Sequence, residues 1–171
     1  MRSGLTPDIG PVHTLVAGVG NIFLCDDGFG SEVARRLDGI ELPPGVAVVD
    51  YGIGGIHLAY DLLDGVDLLV LIDALPRDVA PGTLTVFEVD PGALPEVPMD
   101  SHAMDPGAVL ANVRALGGDL PRTLIVGCEP EDVREGMGLS AVVTAVLDDA
   151  VELVLDVVRE HTPTAAAAEP I

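Results

Sequence analysis

The segment Asp67-Leu-Leu-Val-Leu-Ile-Asp73 constrains the fold of this chain more than any other stretch. Its apolar residues run without interruption between two acids. A strand of this kind is buried on both faces, which is the environment of a strand inside a parallel sheet that helices cover. We therefore expect a central strand here, with helices on both sides of the sheet.

Strand patterns alternate with helix patterns along most of the chain. Short apolar runs stopped by Gly or Pro predict strands, and apolar residues spaced three and four apart predict helices. The order predicts an α/β fold, a three-layer α/β/α sandwich around a mainly parallel twisted sheet of about five strands. The predicted strands are 13–19, 46–51, 67–73, 83–89 (near an edge) and 122–128, and the predicted helices are 31–38, one around 56–63, one from Asp105-Pro106 and one long helix from Ser140.

A single domain accounts for a chain of 171 residues. We expect this domain to span 13–160, between a flexible leader (1–12) that is rich in Pro and Gly and a disordered tail (161–171). No apolar run approaches the roughly 20 residues that cross a bilayer, and the N-terminus lacks the apolar centre of a signal peptide. These features predict a cytoplasmic protein with no membrane partner.

The net charge of −20 limits the choice of partners. A chain this acidic repels nucleic acid and anionic membranes, while it tolerates a cationic or metal-bearing partner. All eight basic residues are Arg, and without Lys there is no Walker-type phosphate loop. The apolar faces are all used within one sandwich, so we expect a monomer. The two Cys are far apart in sequence and form no disulfide framework.

Three polar features follow predicted strands and mark a candidate site. Asp26-Asp27 follows the first strand, Asp73 ends the third, and His102 lies in the long loop after the fourth. Ligands of an open parallel sheet bind beyond the carboxyl ends of its strands, where neighbouring strand tips lie about 4.8 Å apart. Two carboxylates and an imidazole leave open positions on Ni, Fe or Zn. The sequence thus predicts a metal-contacting site of Asp27, Asp73 and His102.

Other interpretations of these residues exist. Asp27 alone suits a helix N-cap, and Asp73 alone suits a turn. Gly18-Val-Gly20 suggests a dinucleotide-binding turn, but Phe23 occupies the position of the third Gly and the adjacent acids would repel a pyrophosphate. Cys25 as a nucleophile is disfavoured because neighbouring carboxylates raise the pKa of a thiol.

Several motifs together resemble the hydrogenase maturation protease family. They are GVGNIFLCDDGFG, DYGIGG, LLVLIDAL, SHAMDPG and VGCEPEDVREGMGLS, in this order, and the likeness covers about 14–158. The resemblance implies an endopeptidase that removes a C-terminal peptide from the large-subunit precursor of a [NiFe] hydrogenase after nickel insertion. The family's metal-contacting positions are occupied here by Asp27, Asp73 and His102.

The resemblance also implies how such a site is used. The ligands would reach for nickel already seated in the precursor, so the metal is supplied by the substrate and acts as a checkpoint. We further expect Gly52, Gly54 and Gly55 to bind the substrate's C-terminal segment by backbone contacts. Two alternatives differ in function: a metal-binding or metal-delivery protein with the same three ligands, and a thiol hydrolase built on Cys25. A non-hydrogenase substrate on the same scaffold is a further alternative.

Overall fold

The computed structural model describes residues 11–94 and 105–162. Its centre is one five-stranded sheet in the order β2-β1-β3-β5-β4. The first four strands of that order run parallel, and β4 runs antiparallel to β5. The strands are β1 (Thr14–Val19), β2 (Val46–Gly52), β3 (Leu68–Ala74), β4 (Leu84–Glu88) and β5 (Arg122–Cys128).

Helices cover both faces of the sheet. The helices α1 and α5 pack on one face, where Val33 and Val154 join a buried cluster with Val70 of β3. The helices α2 and α3 pack on the other face, where Leu58 and Val109 join a second cluster. The predicted three-layer sandwich is therefore confirmed. The helices are α1 (Phe29–Leu37), α2 (Gly55–Leu62), α3 (Pro106–Ala115), α4 (Ala141–Thr144) and α5 (Leu147–His161), with short 3₁₀ turns at Cys25–Gly28 and Pro91–Ala93.

The strand β3 lies at the middle of the sheet, as its composition predicted. Every one of its residues is buried, because β1 and β5 pair with its two edges and helices cover its two faces. Its side chains alternate between the two apolar clusters, with Ile72 in one and Leu71 in the other. Burying a side chain of this size contributes about 1.5–3 kcal/mol, so β3 anchors both halves of the core.

Two elements differ from the sequence-based expectation. The strand β4 is at the edge as predicted, but alternation of apolar residues does not reveal direction, and it runs opposite to its neighbour. The predicted long final helix is two helices, α4 and α5, with a break at Ala145 and Val146. No Gly or Pro marks this break. The N-cap of α4, Ser140, is bonded to Asp26, which fixes α4 independently of α5.

The described residues contain no helix that is both long and apolar enough to cross a membrane. Most of the predicted leader and tail lies outside the described residues. The helix α5 ends at His161, so it reaches the first position of the predicted tail. These boundaries otherwise remain predictions.

Candidate active site

The strand order creates a crevice between β1 and β3. From β1 the chain moves to β2 on one side of it, whereas β3 lies on the other side. Such a reversal leaves an opening at the carboxyl ends of the two strands, where ligands of open α/β sheets bind. A cavity of about 810 Å³ opens there and extends over the sheet to Phe87 of β4 and Val89 just after it, and its lining includes Asp27, Asp73 and Asp105. Two of the three predicted site residues therefore share one cavity.

The turn after β1 presents Asp27 to the cavity. At Gly20, φ is +136°, and a Cβ there would collide with the carbonyl oxygen of Asp27, so only glycine permits this close approach. The backbone N–H of Asn21 donates to Asp27 Oδ2 at 2.8 Å. No side chain caps α1, so Asp27 is not the N-cap that its position alone suggested. The glycine-rich turn serves to position a carboxylate.

Asp73 lies within β3 and faces the same cavity. It is paired with Gly127 of β5 and is only 6% exposed, so it is a strand residue and not part of a turn. Burial raises the pKa of its carboxyl to about 8, and the negative charges of Asp27 and Asp105 act in the same direction, against a backbone hydrogen bond at Ala74. The site thus disfavours an uncompensated negative charge at Asp73.

Asp105 is a cavity residue that the sequence reasoning missed. It was predicted as the N-cap of α3, and this is confirmed because its Oδ1 accepts from the N–H of Gly107 at 2.6 Å. The helix leads back to the start of β5, so its first residues lie at the carboxyl edge of the sheet and Asp105 lines the cavity. The signal available in the sequence was topological: a helix before a parallel strand begins at the ligand-binding edge.

His102 lies outside the described residues. The sequence places His102 in a loop after the fourth strand, but β4 is antiparallel, so its last residue, Glu88, pairs with Leu124 near the start of β5. The carboxyl end of β4 is therefore at the opposite edge of the sheet. The described chain resumes at Asp105, three positions after His102, and Asp105 lines the cavity. The assignment of His102 remains a prediction.

The carboxylates alone do not complete a metal site. Within 11–94 and 105–162, no group of three or more His, Cys, Asp and Glu side chains is placed to hold a metal ion. Asp27 and Asp73 supply oxygen donors, and a third protein ligand would have to come from elsewhere in the chain.

The glycine turn after β2 lies beside the β1 turn. Gly52 ends β2 with φ of +54°, and its carbonyl accepts from the N–H of Gly20 at 2.9 Å. Gly54 is the N-cap residue of α2 and Gly55 its first residue. The described lining of the cavity includes Ile53 but none of these three glycines. Their predicted substrate contacts are untested, and the observed role of Gly52 is to join the two turns.

Asp26 has a structural role next to the site. It is fully buried, and its carboxylate accepts from the N–H groups of Glu131, Asp132 and Ser140 at 2.9, 3.0 and 2.7 Å and from the Ser140 hydroxyl at 2.9 Å. Burial alone would raise its pKa, but these four bonds outweigh burial and hold the pKa below its usual value. Asp26 therefore ties the β1 turn to the segment after β5.

Neither cysteine is in the described lining of the cavity. Cys128 is buried at the end of β5, and burial, with the charges of Asp26 and Glu129, raises its pKa to about 11. Cys25 is half-buried against Gly136, and it is absent from the described lining of the cavity. The raised pKa of the Cys128 thiol disfavours a reactive thiolate at that position.

The fold and the cavity define a class of protein: an α/β protein with an acidic crevice at the carboxyl ends of β1 and β3, which is the position where open α/β sheets bind ligands. A family model described as hydrogenase maturation protease matches residues 31–157, a range that includes Asp73 and His102 and begins just after Asp27. The chain belongs to the hydrogenase maturation protease family. It is thus a member of a family of proteases that process hydrogenase precursors.

Individual relatives agree along nearly the whole chain. The hydrogenase 2 maturation protease of Escherichia coli is 33% identical over 164 residues, covering 94% of this chain and 99% of the relative. The hydrogenase expression/formation protein HoxM of Azotobacter vinelandii is 32% identical, covering 92% of this chain and 77% of the relative. The solved structure of the hydrogenase maturating endopeptidase HybD from E. coli superimposes with a TM-score of 0.72 at 31% identity, covering 87% of this chain and 93% of HybD.

Proposed function

We propose that this protein is an endopeptidase that removes the C-terminal peptide of a [NiFe]-hydrogenase large-subunit precursor after nickel has been inserted. Asp27, Asp73 and His102 contact the nickel that the precursor carries, and this contact selects the nickel-loaded form. The family to which the chain belongs supports the precursor as substrate. The proposed contact with nickel is supported by the acidic lining of the cavity.

The observation that carries the proposal is the charge of the cavity. Its described lining includes the carboxyl groups of Asp27, Asp73 and Asp105, and it includes no Arg or His. The pKa of Asp73 is raised because burial and the neighbouring acids make its ionised form unfavourable. A cation between Asp27 and Asp73 would relieve this cost, whereas an anionic ligand would increase it.

A nickel ion held by the precursor suits this arrangement. Two carboxylates and one imidazole form an incomplete ligand set, which leaves positions for the ligands that the precursor supplies. Such a site binds free metal weakly, so it can engage the ion of a partner and then release the product. The chain's own contribution is to hold Asp27 by the Asn21 N–H and to hold Asp73 within β3, between β1 and β5.

A processing assay tests the proposal. The purified protein is mixed with nickel-loaded precursor, and loss of the C-terminal peptide is followed by mass spectrometry. Asp27→Asn, Asp73→Asn and His102→Ala should each abolish processing with unchanged circular dichroism. Asp64→Asn, an exposed acid just after α2 at the opposite edge of the sheet, is the matched control and should process normally. Normal processing by any one of the three site variants removes that residue from the site.

The alternative of a metal-binding or metal-delivery protein makes a different prediction. Such a protein would retain nickel after dialysis, whereas a site of two carboxylates and one imidazole that engages nickel carried by the precursor should lose it. Elemental analysis of the isolated protein after incubation with nickel separates these functions. We also propose that the protein acts in the cytoplasm as a monomer, which sedimentation of the pure protein tests.

A further inference from the structure

The most exposed apolar side chains of the described residues are concentrated at one end of the molecule. Among the large apolar residues, Met137, Ile53 and Phe23 have the greatest exposed fractions, at 72%, 68% and 61%. They follow β5, β2 and β1, so all three lie at the carboxyl edge of the sheet. We call the exposed apolar residues of these segments the mouth surface, which comprises Ile22, Phe23, Ile53, Ile56, Val133 and Met137.

The mouth surface adjoins the cavity. Ile53 is itself part of the cavity lining. Phe23 lies between Asn21 and Leu24, both of which line the cavity, and it is one of only three Phe in the chain. An exposed aromatic side chain at this position does not contribute the stabilising free energy that a buried one would.

Backbone bonds hold the two halves of this surface together. The N–H of Gly136 donates to the carbonyl of Phe23 at 2.9 Å, and the N–H of Cys25 donates to the carbonyl of Gly136 at 2.9 Å. These bonds place Met137 beside Phe23. The carboxylate of Asp26 fixes the segment that carries Val133 from the other side. The surface is therefore preorganised, which lowers the entropic cost of binding a partner.

Charge indicates the kind of partner. The chain carries a net charge of −20, and the segment with Val133 and Met137 contains Glu131, Asp132 and Glu135 but only one Arg. That Arg, Arg134, is already paired with Asp132. A second copy of this chain would meet strong repulsion, whereas a partner with basic residues around an apolar centre would be attracted.

We propose that the mouth surface is the binding surface for the folded body of the hydrogenase precursor, which contacts it through an apolar face bordered by basic residues. This inference rests on the proposed function and adds the residues that recognise the precursor outside the cavity. Phe23, Ile53 and Met137 are its central contacts. At low ionic strength, the acidic residues around them increase both the association rate and the affinity for the precursor.

Kinetics with separate KM and kcat test this surface. Phe23→Gln, Ile53→Gln and Met137→Gln should each raise KM for nickel-loaded precursor by about tenfold, since central apolar contacts dominate protein interfaces. For Phe23→Gln and Met137→Gln we expect kcat within about twofold of wild type, because these side chains do not line the cavity. Raising the salt concentration should increase KM for the wild-type protein.

The control is Leu116→Gln, which removes an apolar side chain that is 46% exposed at the C-cap of α3, at the opposite edge of the sheet. Its KM should equal that of the wild-type protein. Unchanged KM in all three mouth variants would contradict the proposal that this surface binds the precursor, while leaving the proposed function intact. A wild-type dimer in sedimentation that the mouth variants dissociate also overturns it, since the surface would then bind a second copy.

Calorimetric titration of precursor distinguishes failure of the surface from failure of the proposed function. If the wild-type protein binds the precursor without cleaving it, and the mouth variants bind about tenfold more weakly, the surface is correct and the peptidase function is wrong. If wild-type and mouth variants bind equally, the surface is wrong.

Discussion

Asp26 and Asp73 are two buried carboxylates in the same part of the molecule, and they are treated in opposite ways. Asp26 receives four hydrogen bonds from three residues, and its pKa lies below the ordinary value. Asp73 faces two other acids, and its pKa is raised to about 8. The first environment is complete without any ligand. The second lacks a positive charge, and this difference separates a structural acid from a candidate ligand.

The comparison explains why two adjacent acids in the sequence have different roles. Asp26 turns inward toward Ser140, whereas Asp27 faces the cavity and is held by the N–H of Asn21. Neutral donors satisfy Asp26, so its ionised form stabilises the fold. The charge of Asp27 makes ionisation of Asp73 less favourable and contributes to the raised pKa of Asp73. The candidate site is therefore the place where a buried carboxyl group lacks a compensating partner.

The largest expected effect is on the processing activity of variants at Asp27 and Asp73. Asp27→Asn and Asp73→Asn should each lower the rate of precursor processing by about 1,000-fold or more, because the substrate's metal loses a charged ligand. Gel shift of the precursor over a time course measures this. Retention of more than a tenth of wild-type activity in either variant would contradict the assigned roles.

Asp26→Asn should have the largest effect on folding. An amide keeps only one oxygen, so its NH₂ group would face either the Ser140 N–H at the Oδ1 position or the three donors at the Oδ2 position, and the free energy of unfolding should fall by about 3 kcal/mol. Urea denaturation measures the change. Ser140→Ala is the graded control and should cost about 1–2 kcal/mol, because it removes the hydroxyl that donates to Asp26 and caps α4 at the Val143 N–H but leaves the other three bonds to Asp26. A stability equal to wild type in Asp26→Asn would show that the bonds contribute nothing net.

The raised pKa of Asp73 predicts an unusual dependence of stability on pH. Between about pH 4 and 8, the folded protein binds a proton at Asp73 that the unfolded chain releases, so this residue lowers stability as pH rises. Asp73→Asn removes the effect and should exceed wild type in stability at pH 9, by about 5 kcal/mol, because each pKa unit between the unfolded and folded values corresponds to about 1.4 kcal/mol. Thermal unfolding from pH 5 to 9 tests this, and parallel curves for the two proteins would contradict it.

The smallest expected effect is at Cys25. Cys25→Ala should process precursor at the wild-type rate, because the thiol is absent from the described cavity lining and contacts Gly136. The processing rates of Cys25→Ala and Asp73→Asn are measured under the same conditions and compared. Loss of processing comparable to that of Asp73→Asn would favour the thiol hydrolase instead.

The sequence predicted the sheet because apolar runs and glycine stops are local signals. The run from Leu68 to Ile72 was enough to place β3 at the centre. The direction of β4 was not predictable, since its alternating residues are compatible with either direction. The break before α5 also has no local marker; the Ser140–Asp26 bonds near it link residues far apart in the chain.

The same distinction applies to the site. Asp27 and Asp73 were predictable because strand ends are local features and parallel strands bring them to one edge. The bonding of Asp26 was not predictable in detail, since its partners lie more than 100 residues away in the chain. Asp105 was recognised as a helix cap, but its place in the cavity depends on the packing of α3 against the sheet.

The most direct test of the central claim compares two forms of one precursor. Nickel-loaded and nickel-free precursor are incubated with the wild-type protein at equal concentration, and the shortened product is quantified by mass spectrometry. We predict cleavage of the nickel-loaded form only, with Asp73→Asn cleaving neither. Equal cleavage of the nickel-free precursor would show that Asp27 and Asp73 do not act by recognising the metal.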